Sequence, residues 1–156
     1  MKRNSTKNGG IFPLLIALCF ALLTDLISKK WLFGREQTVI PGVLALTPVQ
    51  NTGVSFGFLQ GSIWAIGLSL FMLLCVMIFC IKTKPGGAFA AFIGLMLGGA
   101  LGNLADRLLY GYVRDMLEIL FIDFPVFNLG DVFVCLGAFL MAIYILFFDK
   151  GGQKNA

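Results

Sequence analysis

Four long apolar runs, Ile11 to Ile27, Ser62 to Ile81, Gly86 to Ala105 and Val132 to Phe148, take up nearly half of a 156-residue chain, and only Asp25 breaks them with a charge. Each reaches or nearly reaches the roughly 20 residues needed to cross a bilayer core. The pattern predicts an all-α membrane protein with four transmembrane helices, at about 11–29, 62–81, 86–106 and 130–148. A single integral membrane domain then uses all of residues 1–156, with extracytoplasmic segments at about 30–61 and 107–129. Composition agrees: 13% of residues are charged, where a soluble domain carries about a quarter.

Histidine is absent, which removes the Ser-His-Asp triad, the Cys-His pair and the HExxH zinc site. Cys19, Cys75, Cys80 and Cys135 lie inside apolar runs without CxxC spacing and read as small buried hydrophobes. No metal and no cofactor is expected. The net charge of +4 is no nucleic-acid footprint, since the basic residues flank the spans and form no patch with interleaved aromatics.

Those flanking charges report topology. Lys2, Arg3 and Lys7 precede span one, Lys82 and Lys84 join spans two and three, and Lys150 and Lys154 follow span four. The opposite side holds Lys29, Lys30, Arg35, Arg107 and Arg114, so positive-inside counting puts both termini in the cytoplasm. The basic start and first apolar run also have the outline of a signal peptide. No small-x-small cleavage site follows, and the run continues into Asp25-Leu26-Ile27-Ser28-Lys29.

Between spans one and two, Thr38-Val39-Ile40 is β-branched, and Pro41-Gly42, Pro48 and Asn51-Thr52-Gly53 punctuate the stretch from Gly34 to Gly61. That spelling predicts short strands and turns, a small sheet capping the outer end of the bundle. Spans two and three are joined by Lys82-Thr83-Lys84-Pro85 alone and must be antiparallel neighbours. Ala90, Gly94, Gly98 and Gly102 recur every four residues, a face along which another backbone can come close.

Polar groups gather at one end of spans three and four, in Gly102-Asn103-Leu104-Ala105-Asp106-Arg107, Gly111-Tyr112-Val113-Arg114-Asp115 and Phe127-Asn128-Leu129-Gly130-Asp131. Carboxylates beside lipid are costly and mark function. Asp106 and Arg107 read as an interfacial ion pair that ends the span and snorkels to water. Asp115 and Asp131 bracket the segment that folds span four back against span three. Within it, Leu117 to Phe127 reads as an apolar loop against the headgroups.

Two carboxylates a few ångström apart in a dry pocket do not both ionise readily, so the pair shares a proton. This is the arrangement of an aspartyl protease: the ionised member takes a proton from water as it attacks an amide, and the protonated member hydrogen-bonds the carbonyl oxygen. Asn128 can cap span four with Asp131 in its first turn, which favours the charge on Asp131 and the resting proton on Asp115. The rival readings are a small transporter or proton-coupled channel and a serine-lysine enzyme. Ser28 and Lys29 are adjacent and do not face each other on a helix. A transporter would want polar residues through the midplane, where spans two and three carry no charge.

These residues resemble the lipoprotein signal peptidase family, also called signal peptidase II or prolipoprotein signal peptidase, over nearly the whole chain. Asp25-Leu26-Ile27-Ser28-Lys29 follows its D-x-x-S-K, and Asn51-Thr52-Gly53 with Phe56 its N-x-G-x-x-F. Gly102-Asn103 to Arg107 follows G-N-x-x-D-R, Val113 to Asp115 V-x-D, and Phe127 to Asp131 F-N-x-A-D. The resemblance implies a four-helix protein of the bacterial inner membrane with cytoplasmic termini and a small extracytoplasmic β-cradle. It implies cleavage on the N-terminal side of a diacylglyceryl-modified cysteine in a lipidated prolipoprotein; the rival it leaves open is an inactive relative that only binds lipoproteins. Membrane lipid and no nucleic acid are the further partner expectations, and a four-helix bundle of this size can act alone, as a monomer.

By the motif match, Asp115 and Asp131 are the catalytic dyad, and Asn51, Asn103, Arg107 and Asn128 are polar residues around the substrate. Asp25 and Lys29 shape the outer end of span one, while Gly53 and Asp106 support the site within their motifs. Met116 stands where the family usually has an aromatic, and Gly130 where it has alanine; neither change removes a charge or a hydrogen-bonding group.

Overall fold

The computed structural model describes residues 10–53 and 62–148. Lys2, Arg3, Lys7, Phe56, Lys150 and Lys154 lie outside the described residues. The elements are α1 (Ile11–Leu32), β1 (Gln37–Ile40), β2 (Leu44–Asn51), α2 (Ser62–Thr83), α3 (Gly87–Tyr110), β3 (Val113–Ile119) and α4 (Leu129–Phe147).

All four helices are long and apolar enough to cross a membrane. Their 19 to 24 residues correspond to about 28–36 Å at 1.5 Å per residue, matched to a hydrocarbon core of about 30 Å. Large side chains such as Leu15, Phe20, Phe71, Phe139 and Leu146 point outward and exposed, as lipid-facing surfaces do. The protein is a multi-pass membrane protein with a small sheet at one end.

The centre of the bundle is α3, which packs on both α1 and α4. Its small residues explain why. A Cβ at Gly94 would strike Leu14 O, and one at Gly98 would lie 2.5 Å from Leu18 O, so α1 approaches backbone to backbone. On the other side α3 meets α4 through Gly137, whose Cβ would lie 2.6 Å from Phe92 O, and through Gly99 against Gly130 O. Close contact of this kind replaces a hydrophobic driving force that lipid cannot supply.

α3 ends at Gly111, whose φ of +80° is the left-handed cap that closes many helices, with its N–H donating to Arg107 O at 3.1 Å. The chain then turns directly into β3. The sheet is antiparallel in the order β1-β2-β3, with Asn51 opposite Val113 and Val49 opposite Asp115. Register shifts between Leu46 and Val49, where Pro48 has no N–H to give a ladder.

β3 differs from the sequence expectation. Leu117 to Ile119 was expected in an apolar loop, yet these residues pair with β2. Leu117 also exchanges two backbone hydrogen bonds with Phe127, at 2.8 and 3.0 Å. Asp115 therefore sits on a strand held along both edges.

Candidate active site

Asp131 lies in the first turn of α4. Asn128 has extended backbone (φ −132°, ψ 177°) and forms a capping box with it: Asp131 N–H donates to Asn128 Oδ1 at 3.0 Å, and Asn128 N–H donates to Asp131 Oδ2 at 3.1 Å. From α3, Asn103 Nδ2 donates to Asp131 Oδ1 at 2.7 Å.

Asp115 projects from β3 and is 1% exposed. Two amides hold it: Asn51 Nδ2 donates to Oδ2 at 2.9 Å, and Asn128 Nδ2 donates to Oδ1 at 2.6 Å. Both amides are oriented by backbone donors, since Asn51 Oδ1 accepts from Gly53 N–H and Asn128 Oδ1 from Asp131 N–H. Asn128 thus bridges the two aspartates. Burial pushes the Asp115 carboxyl up to about 6; the Asn51 amide opposes that rise and the Asp131 charge adds to it.

A second buried cluster lies alongside. Lys29 Nζ meets Asp25 Oδ2 at 2.7 Å, Asn103 Oδ1 at 2.7 Å and Asp106 Oδ2 at 3.5 Å. Asp25 Oδ1 accepts the Gly130 N–H at 2.8 Å. Asp106 accepts from Arg114 through the guanidinium at 2.8 Å and the backbone N–H at 3.0 Å. Gly102 makes room for this cluster, because a Cβ there would collide with Asp25 Oδ2.

The expected ion pair of Asp106 with Arg107 does not form. Asp106 is 0% exposed and is bound by Lys29 and Arg114. Arg107 turns the other way, its Nη2 donating to Gly53 O at 3.1 Å, and among the described residues its buried Nε has no partner. Neighbours on a helix do not face each other, which decides against the pair. Arg114 and the Gly130 N–H were not anticipated as parts of a site. Each immediately precedes one of the two aspartates, a clue that adjacency alone did not make legible.

A carboxylate pair held by neutral amides, at one end of a bundle of membrane helices, has the chemistry of an acid-base dyad. The family model for signal peptidase II matches residues 16–147.

The chain belongs to the signal peptidase II family.

Signal peptidase II is a family of aspartic peptidases, and the transporter reading is not favoured. Among its relatives, the lipoprotein signal peptidase of Syntrophomonas wolfei is 36% identical over 141 residues, covering 86% of this chain and 93% of the relative. That of Lactobacillus johnsonii is 35% identical over 143 residues, covering 90% and 92%. A solved bacterial membrane enzyme, determined by the in meso method at 2.3 Å resolution, superposes with a TM-score of 0.81 at 29% identity and covers 94% of each chain. A second, at 1.9 Å, gives a TM-score of 0.77, covering 88% of this chain and 95% of the other.

Proposed function

We propose that this signal peptidase II removes signal peptides from diacylglyceryl-modified prolipoproteins, cutting on the N-terminal side of the lipidated cysteine, with Asp115 and Asp131 as the catalytic dyad. The observation that carries the reading is the bridge: one asparagine, Asn128, binds both carboxylates, Asp115 through its side-chain amide and Asp131 through its backbone N–H, and neither has a lysine or arginine in hydrogen-bond contact among the described residues.

In the resting enzyme Asp115 holds the shared proton and Asp131, on two N–H donors, carries the charge. Asp131 takes a proton from the attacking water, and the new C–O bond forms at the scissile carbonyl. Asp115 gives its proton to the carbonyl oxygen, producing a neutral tetrahedral diol. Collapse breaks the C–N bond: the amine leaves with the proton from Asp131, and a diol hydroxyl returns its proton to Asp115. The dyad ends as it began. Arg107 faces the same space with an unpartnered Nε and holds the substrate backbone beside the dyad.

The site lies at the bundle end opposite the Lys82 to Pro85 turn. With basic residues inside, this supports cytoplasmic termini and a site at the outer face of the bacterial inner membrane. Residues 1–156 act there as one peptidase domain and as a monomer. Acyl chains on the substrate hold the scissile bond at that face and supply effective concentration that a soluble peptide lacks.

The test is cleavage of a diacylglyceryl-modified prolipoprotein by purified enzyme, compared with Asp115→Asn and Asp131→Asn. Loss of cleavage in both is expected. Full activity in either ends the reading.

A further inference from the structure

Lys29 is 0% exposed, and its ammonium donates to Asp25 and Asn103 at 2.7 Å each and lies 3.5 Å from an Asp106 oxygen. An ammonium only donates. It therefore accepts just one orientation of the Asn103 side chain, the one with Oδ1 toward Lys29, and this turns Nδ2 toward Asp131 Oδ1 at 2.7 Å. Among the described residues no backbone N–H orients the Asn103 amide, as one does for Asn51 and for Asn128.

The two carboxylates around Lys29 also reach the dyad's backbone. Asp25 binds the N–H of Gly130, next to Asp131, and Asp106 binds the N–H and guanidinium of Arg114, next to Asp115. One cation thus ties together α1, α3, β3 and the start of α4 at the residues just before the two aspartates.

We propose that Lys29 is a positioning residue for the dyad: it locks the Asn103 amide so that an N–H always faces Asp131, and it fixes the spacing of the two strings that carry Asp115 and Asp131. The proposal rests on the reading of these aspartates as the catalytic pair. Without the lock the Asn103 amide can turn over, and its oxygen then faces a carboxylate oxygen, a contact that only a protonated carboxyl satisfies. The charged groups facing this point are Asp25 and Lys29 from α1, Asp106 and Arg107 from α3, Arg114 and Asp115 from β3, and Asp131 itself from α4.

Lys29→Met alone strands the buried carboxylate of Asp25, while Asp106 keeps Arg114. The double variant Asp25→Asn/Lys29→Met removes one charge of each sign, leaves Asp106 paired with Arg114, and keeps an oxygen for the Gly130 N–H. Its folded fraction is read by thermal unfolding, and kcat and KM for a diacylglyceryl-modified prolipoprotein are measured across pH. The expected result is a folded enzyme with kcat lowered about 100-fold and KM within about threefold of wild type. The acidic limb of its kcat/KM profile moves to higher pH by about one unit, as the pair takes its second proton more readily.

If the Met variant does not fold, Asp25→Asn/Lys29→Gln replaces it. A glutamine amide presents either end to Asn103, so the same limb shift is expected. A folded variant with wild-type kcat and pH profile overturns the positioning role. Asp115→Asn and Asp131→Asn are run beside it: if they are inactive while the double variant is normal, only the positioning role fails, and if they remain active, the dyad reading itself fails.

Discussion

Two pairs of aspartates lie side by side at one end of this bundle, three of the four buried and Asp131 half-buried, and their partners separate them. Asp25 and Asp106 are met by cations, Lys29 and Arg114, at 2.7 and 2.8 Å. Asp115 and Asp131 are met by the amides of Asn51, Asn103 and Asn128 and by a backbone N–H. A cation locks its carboxylate into an ion pair and commits it to structure. An amide satisfies an oxygen without neutralising the charge, so a proton can still come and go. The same residue type is a fastener in one pair and, in the proposed dyad, an acid-base group.

The sharpest way to break the comparison is to remove the exchangeable proton. Asp115→Asn and Asp131→Asn are expected to lower kcat/KM by about 10³–10⁴-fold or more, measured on the lipidated substrate, with the fold intact. Asp106→Ala is expected to act on stability: it leaves Lys29 and Arg114 short of a buried anion and costs about 3–5 kcal/mol, read by thermal or denaturant unfolding in detergent. Equal stability losses in the two pairs would erase the distinction.

A smaller effect carries a sign. The Asp115 carboxyl has an ordinary value of 3.8 and is raised to about 6 in the fold. A raised carboxyl favours the folded state fully below 3.8, and that advantage is lost as pH rises through about 6. Asp115→Asn removes the penalty of burying the charge, so its stability relative to wild type should improve between pH 5 and pH 8 by about 1–1.5 kcal/mol. Unfolding midpoints at the two pH values check it.

The smallest effect sharpens the role of the amides. The alkaline limb of kcat/KM follows loss of the Asp115 proton, and the Asn51 amide favours that loss. Asn51→Leu should move this limb to higher pH, by up to about one unit. A shift to lower pH would mean that the amide does not bind the carboxylate form.

The fold class was legible because its signals are local: span length, the four-residue small stripe and the turn spelling around Pro41-Gly42. The aspartates were legible by their cost beside lipid. β3 was not, because Asp115 and Met116 are both buried and the strand shows no alternation of apolar and polar residues. The Lys29 hub was hidden by distance, since it joins α1 to residues 74 and 77 positions away on α3. Asp106 was assigned to its neighbour in sequence, Arg107, when helix geometry gives it to Arg114 across the Gly111 turn.

The most direct measurement is infrared spectroscopy of the carboxyl groups in the resting enzyme between pH 5 and pH 8. A protonated carboxyl band should be present at pH 5, fade as pH rises through about 6, disappear in Asp115→Asn and persist in Asp25→Asn. A band that survives in Asp115→Asn, or its absence from the wild-type enzyme at pH 5, would contradict the account.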